Sequence, residues 1–178
     1  MKTVYLYQDK KLVKYDLDSV VSLGQLNIEY IAERLWNIKR FSGTSPANVL
    51  LHSMWVHANL RQVNQDPLVC LMALLHDSTE IFYGDIPSGL KTPDLRNEEK
   101  LLLNRLFLSL TGFSWQPEFE PLIKKFDVLY FEEVDRSEEL LYMYASKLSG
   151  SKRSFIRSFV SSYRDYMEAL LCNQSLLV

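Results

Sequence analysis

The spacing of apolar positions changes near residue 27, and the change predicts a change of element. Over the first twenty residues Val4 and Leu6, then Leu12, Val13 and Tyr15, flank the polar run Gln8-Asp9-Lys10-Lys11. Short apolar runs around a polar centre predict a β-hairpin. From Asn27 the spacing lengthens to three and four residues through Ile28, Ile31, Ala32 and Leu35, which predicts an amphipathic helix broken at Arg40-Phe41-Ser42-Gly43. Beyond Pro46 a second helix is expected over 47–63, apolar around most of its circumference and therefore central. Asp66-Pro67 opens a third, with a capping carboxylate and a proline whose missing N–H has no partner at that position anyway. This helix takes in the apolar run from Leu68 to Leu75, carries His76, Asp77 and Glu80, and is expected to stop near Gly84. The Gly- and Pro-containing stretch 84–91 reads as a loop. Thr92-Pro93 restarts a helix through Glu98, Leu102, Leu106 and Leu110, and further helical patterns cover about 118–147 and 154–172.

These elements predict an all-α bundle with a small amino-terminal hairpin, in one domain over 1–178. The hairpin extension takes 1–20, the helical core 27–145 and a last helix 150–174. Length supports a single unit, since 178 residues bury most of the apolar surface of the unfolded chain. The 47% apolar content, with only 6 Gly and 6 Pro, argues against disorder and against a turn-rich β-sandwich. Charge narrows the partners: 20 basic against 22 acidic residues leave no broad field for a nucleic-acid polymer. A small anion received by local cations or a metal fits that balance. No apolar run approaches the ~18 residues of a membrane span, and Met1-Lys2-Thr3-Val4-Tyr5 lacks a signal-peptide core, so a cytoplasmic protein without a membrane partner is expected. Cys70 and Cys172 show no paired spacing and are expected to be buried, reduced thiols. Phe155, Phe159, Tyr163, Tyr166 and Leu170 form an apolar stripe expected to pack into the chain's own core. The 12% aromatic content leaves enough apolar surface for a homo-oligomer to be expected as well.

An apolar helix running into His76-Asp77 delivers an imidazole and a carboxylate to the end of a core element, a pattern that suits metal ligation. Neighbours on a helix point about 100° apart, so the two can hold one ion from two sides, with Glu80 one turn on. His52, among Leu50, Leu51, Met54 and Trp55, lies on the buried helix, where an imidazole needs a hydrogen bond or a metal. His57 is rotated about 140° from His52 and is left outside the site.

In order, Arg40-Phe41-Ser42-Gly43, His52-Ser53, Ala73-Leu74-Leu75-His76-Asp77-Ser78-Thr79-Glu80, Gly84-Asp85-Ile86-Pro87-Ser88-Gly89-Leu90-Lys91 and Val134-Asp135-Arg136 resemble the HD-domain metal-dependent phosphohydrolases. The likeness is greatest to the branch of bacterial 5'-deoxynucleotidases and phage deoxynucleoside triphosphohydrolases, and it spans roughly residues 27 to 145. It implies an HD-domain helical bundle and hydrolysis of a deoxynucleoside 5'-monophosphate or 5'-triphosphate, dATP among the candidates, with release of phosphate or triphosphate. It implies one divalent metal ion (Co, Mn, Zn, Fe or Mg) on His52, His76, Asp77 and Asp135, with Asp127 as the alternative fourth ligand. It also implies Glu80 as the catalytic acid or base and Arg40, Phe41, Asp85 and Lys91 as substrate-binding residues. Two imidazoles and two carboxylates suit a divalent transition metal. Two other functions remain open on sequence: cyclic-nucleotide phosphodiester cleavage, made less favourable by a count of only three histidines, and a non-enzymatic nucleotide-binding helical module.

Overall fold

The computed structural model describes residues 2–137 and 151–175. Strands β1 (Thr3–Gln8) and β2 (Lys11–Asp16) pair antiparallel, with Thr3 opposite Asp16 and Gln8 opposite Lys11. Asp9 and Lys10 form the two-residue connection, both at positive φ (49° and 63°), which matches the right-handed twist of the strands they join. Leu6 and Tyr15 face inward from the hairpin, while Tyr5, Tyr7 and Leu12 are exposed.

Helices follow: α1 (Val20–Leu23), α2 (Ile28–Asn37), α3 (Val49–Leu60), α4 (Pro67–Leu75), α5 (Glu80–Tyr83), α6 (Pro93–Thr111), α7 (Glu120–Tyr130) and α8 (Lys152–Ser175). The expected mostly helical class with a small hairpin is what the described residues form. Side-chain caps set the starts of several of them, among them α2, α3, α4 and α6. Asn27 accepts from Tyr30 N–H at 2.7 Å, Asn48 from Leu51 N–H at 3.1 Å, Asp66 from Leu68 N–H at 2.8 Å and Thr92 from Leu95 N–H at 3.2 Å. Each cap pairs one N–H that the first helical turn leaves unsatisfied.

The core is built around α3, which packs against α2, α4, α7 and α8, while α4 also packs on α8. α4 is apolar all round, with seven consecutive residues from Val69 to Leu75 buried. A helix with no polar face must be surrounded, and α4 is therefore held fixed. α8 presents Phe155, Phe159, Tyr163, Tyr166 and Leu170 to the core, as expected of that stripe. No helix among the described residues is long and apolar enough to cross a membrane.

Three sequence expectations change. The helix expected to run from Asp66 to Gly84 ends at Leu75, turns over 76–79 and restarts at Glu80. Its bonds tighten there: Ser78 N–H donates to Leu75 C=O at 2.9 Å, and Glu80 N–H to Asp77 C=O at 3.0 Å, both one residue shorter than α-helical bonds. The segment expected as one helix over 118–147 is α7 followed by a wider π-type turn, Phe131–Asp135; residues 138–147 lie outside the described part. Cys70 is buried, but Cys172 is exposed near the end of α8.

A candidate metal centre

His52 on α3, Asp127 on α7 and, from the turn that ends α4, His76 bring donor atoms together, with Asp77 against the two histidines. His52 Nε2 lies 3.2 Å from His76 Nε2 and 3.2 Å from Asp77 Oδ2, and His76 Nε2 lies 3.2 Å from the same Oδ2. Asp127 Oδ1, from α7, stands 3.3 Å from His52 Nε2. His52, His76 and Asp127 offer ligand atoms within 4.8 Å of one another and could hold a metal ion. The spacing fits a cation: ligands about 2.1 Å from one ion stand about 3.0 to 3.4 Å apart between octahedral and tetrahedral geometry.

Local structure fixes each donor. His76 Nδ1 pairs with Ala73 C=O at 2.8 Å, where the helical bonding of α4 gives out. That bond keeps a proton on Nδ1 and leaves Nε2 to face the other donors. His52 is fully buried and sits edge-on against the Tyr130 ring at 4.6 Å. Its Nδ1 has no hydrogen-bond partner among the described residues, so Nε2 is the atom through which the ring meets polar groups. Burial pushes the Asp77 carboxyl up, but the His76 and His52 imidazoles outweigh it and hold Asp77 well below the ordinary carboxylate range. Asp127 is likewise held down, burial being outweighed by His52 and His76. Both carboxylates are therefore anions beside two nitrogen donors, a set whose charge a divalent ion balances.

The two aspartates of the expected fourth position exchange places. Asp127, the alternative, joins the ring, while Asp135 bonds Arg40, with Nε at 3.2 Å and Nη2 at 3.1 Å from Oδ2. Helix periodicity explains this. Asp127 follows Ile123 by four residues and precedes Tyr130 by three, so it shares their buried face, whereas Asp135 comes after the π-type turn has shifted the phase. A carboxylate interrupting the inward stripe Ile123, Phe126, Tyr130 was the available signal.

Glu80 begins α5 beside this ring, buried, with Oε2 unpaired among the described residues. Burial, followed by the charges of Asp77 and Asp85, pushes its carboxyl up to about 10 against the pull of Arg40 and Lys91. Without a cation Glu80 therefore keeps its proton at neutral pH. Arg40 is buried, its guanidinium 5.3 Å from the centroids of both Phe41 and Tyr130. Phe41 and Ser42 have left-handed backbones (φ 52° and 53°), a strained conformation for side chains of that kind. Asp85 holds them: its Oδ2 accepts from Phe41 N–H at 2.5 Å and its C=O accepts from Ser42 N–H and Oγ–H at 3.2 Å. In this structure Asp85 thus ties a turn that presents Phe41. Lys91 pairs with Glu99 at 2.8 Å. His57 lies apart, bonded to Tyr166 Oη at 2.7 Å, and burial lowers it to about 4.

Three cavities open around the ring. One of about 300 Å³ runs past His76, Asp77 and Glu80 to Lys91, Arg96 and Lys100. A second, about 310 Å³, has Arg40, Phe41, Val128 and Phe131 on its walls, the two phenylalanines edge to face at 6.0 Å. The third, also about 310 Å³, lies over His76 and Asp127 against Trp115 and Ile123. Arg96, Lys100, Lys124 and Phe131 were not singled out by sequence; only the fold brings them together. No family model and no curated protein matches the chain.

Proposed function

We propose that the chain is a metal-dependent phosphohydrolase of the HD-domain type acting on deoxynucleotides. The observation that carries this reading is the grouping of His52, His76 and Asp127, with Asp77 against both histidines and a buried Glu80 carboxyl oxygen beside them that is unpaired among the described residues. The motif resemblance supplies the deoxynucleotide class. A divalent ion held by His52, His76 and Asp127, with Asp77 beside them, would supply Lewis-acid activation of a phosphoryl oxygen and of water.

The chain's own residues account for the rest. Glu80 Oε2, without a hydrogen-bond partner among the described residues, accepts the attacking water's proton or returns it to the leaving oxygen. The Glu80 carboxyl, raised by burial and already drawn down in part by Arg40 and Lys91, would be drawn down further by a bound dication, toward a range where both roles operate. Arg40, desolvated and fixed by Asp135, presents its remaining N–H groups to a phosphate oxygen. The aromatic cavity of Phe41 and Phe131 takes the flat base by stacking, which discriminates little among bases. The cavity with Lys91, Arg96 and Lys100 would receive further phosphates through these cations, with Lys91 and Lys100 exchanging their present partners Glu99 and Glu120 for phosphate oxygens.

The test is release of nucleoside together with phosphate or polyphosphate by Mn²⁺-loaded protein from deoxynucleoside 5'-mono-, di- and triphosphates, and turnover of a cyclic nucleotide. Release from the 5'-phosphates, with nucleoside as co-product, is expected. Turnover of the cyclic nucleotide alone, or of none, contradicts the proposal.

A further inference from the structure

Lys124 stands where the ring and all three cavities meet. It is three residues before Asp127 on α7, and its Nζ lies 2.5 Å from Asp127 Oδ2, while Oδ1 of the same carboxylate faces His52. Its side chain is 65% exposed against 22% for Asp127, so the ammonium reaches the carboxylate from the solvent side. It also borders each cavity in turn: that of Phe41 and Phe131, that of Trp115 and Ile123, and that of Lys91 and Arg96.

We propose that Lys124 weakens the ring's hold on its cation by competing for Asp127, and that an oxyanion entering the cavities relieves the competition. The inference rests on the reading of the ring as a cation site. A cation arriving at Oδ1 meets a carboxylate whose charge is already shared with an ammonium, and the two positive charges repel across one carboxyl group. Because the stem is exposed, Nζ can leave Asp127 for the cavities at little cost. An anion with several oxygens offers it another partner there. Cation and oxyanion then bind cooperatively, and linkage makes the effect reciprocal: each raises the other's affinity by the same factor. Lys124 is thus a positioning residue, acting through Asp127.

Calorimetric titration of the full chain with Mn²⁺ tests this, using the parent protein, Lys124→Met and Lys124→Arg. Each is measured in sulfate and in chloride of equal ionic strength, with circular dichroism checking that the variants fold. Lys124→Met is expected to bind Mn²⁺ on the order of tenfold more tightly than the parent, and Lys124→Arg, which keeps the charge, to stay close to it. Sulfate is expected to tighten Mn²⁺ binding more in the parent and in Lys124→Arg than in Lys124→Met. Equal Mn²⁺ affinity in the parent and Lys124→Met overturns the competition and leaves the ring intact as a cation site. An equal sulfate effect in all three overturns the coupling. Absence of Mn²⁺ binding in every protein overturns the reading of the ring as well.

Discussion

Removing the Asp135 carboxylate separates the two roles open to that residue, because a metal ligand and an ion-pair partner fail differently. Asp135 carries a side chain 1% exposed against an Arg40 side chain 9% exposed. Asp135→Ala leaves that guanidinium desolvated with its closest counter-charge gone. Breaking a buried pair from one side costs about 3–5 kcal/mol. Burial also raises the Asp135 carboxyl against the pull of Arg40, so deleting it recovers part of a desolvation cost and places the loss near 3 kcal/mol. For a domain of this size that lowers Tm by about 6–12 °C. The assay is urea and thermal denaturation of chelator-treated protein, followed by Mn²⁺ titration at a temperature where the variant is folded. Asp127→Asn is the comparison: it removes the carboxylate beside buried His52 as well as the exposed pair with Lys124, so some stability is lost here too, and the discriminating readout is Mn²⁺ affinity, which should collapse. The reasoning is refuted if Asp135→Ala is as stable as the parent and has lost Mn²⁺ binding, with Asp127→Asn retaining it.

Two further outcomes follow from the same geometry. Mn²⁺ at a hundred times its dissociation constant should stabilise the folded protein by about 2.7 kcal/mol, a rise in Tm of roughly 5–10 °C in scanning fluorimetry, and His76→Ala should abolish it; an undiminished rise in that variant contradicts the ring. Glu80 keeps its proton in the folded, metal-free protein up to about pH 10 but ionises near its ordinary value of 4.5 when unfolded. The folded state therefore binds the extra proton between those values, and stability falls as pH rises through that window. Glu80→Gln should match the parent at pH 4, exceed it by about 2–3 kcal/mol at pH 7 in urea titrations, and turn over nucleotide about 10²–10⁴-fold more slowly with Mn²⁺ still bound; a variant advantage that shrinks with rising pH contradicts the burial argument.

Much of this site was legible in the sequence because its residues interrupt strong patterns. His52 breaks an otherwise apolar helix, and His76 and Asp77 end a run that must be buried, so each stood out as a polar group at the core, while the motif resemblance was what joined His52 to the other two. Asp127 and Asp135 were harder to separate. Choosing between them needed the helical phase after residue 120, and a single π-type turn at Phe131–Asp135 shifts that phase without a clear sequence signal. The break at 76–79 was hidden for a related reason: a histidine ring bonded to its own helix's carbonyl stops the helix with no Gly or Pro nearby. Asp85 was legible as a loop acid, but its bond to the Phe41 N–H spans 44 residues and depends on the tertiary fold. Lys124, Arg96 and Lys100 look like ordinary surface cations in sequence, and only packing brings them to one set of cavities.

Anomalous diffraction from crystals soaked in Mn²⁺ tests the central claim most directly. One peak should lie about 2.1–2.2 Å from His52 Nε2, His76 Nε2 and carboxylate oxygens of Asp77 and Asp127, with Asp135 still on Arg40. A peak ligated by Asp135 in place of Asp127, or a His52 ring without metal beside a loaded His76 and Asp77, would contradict it.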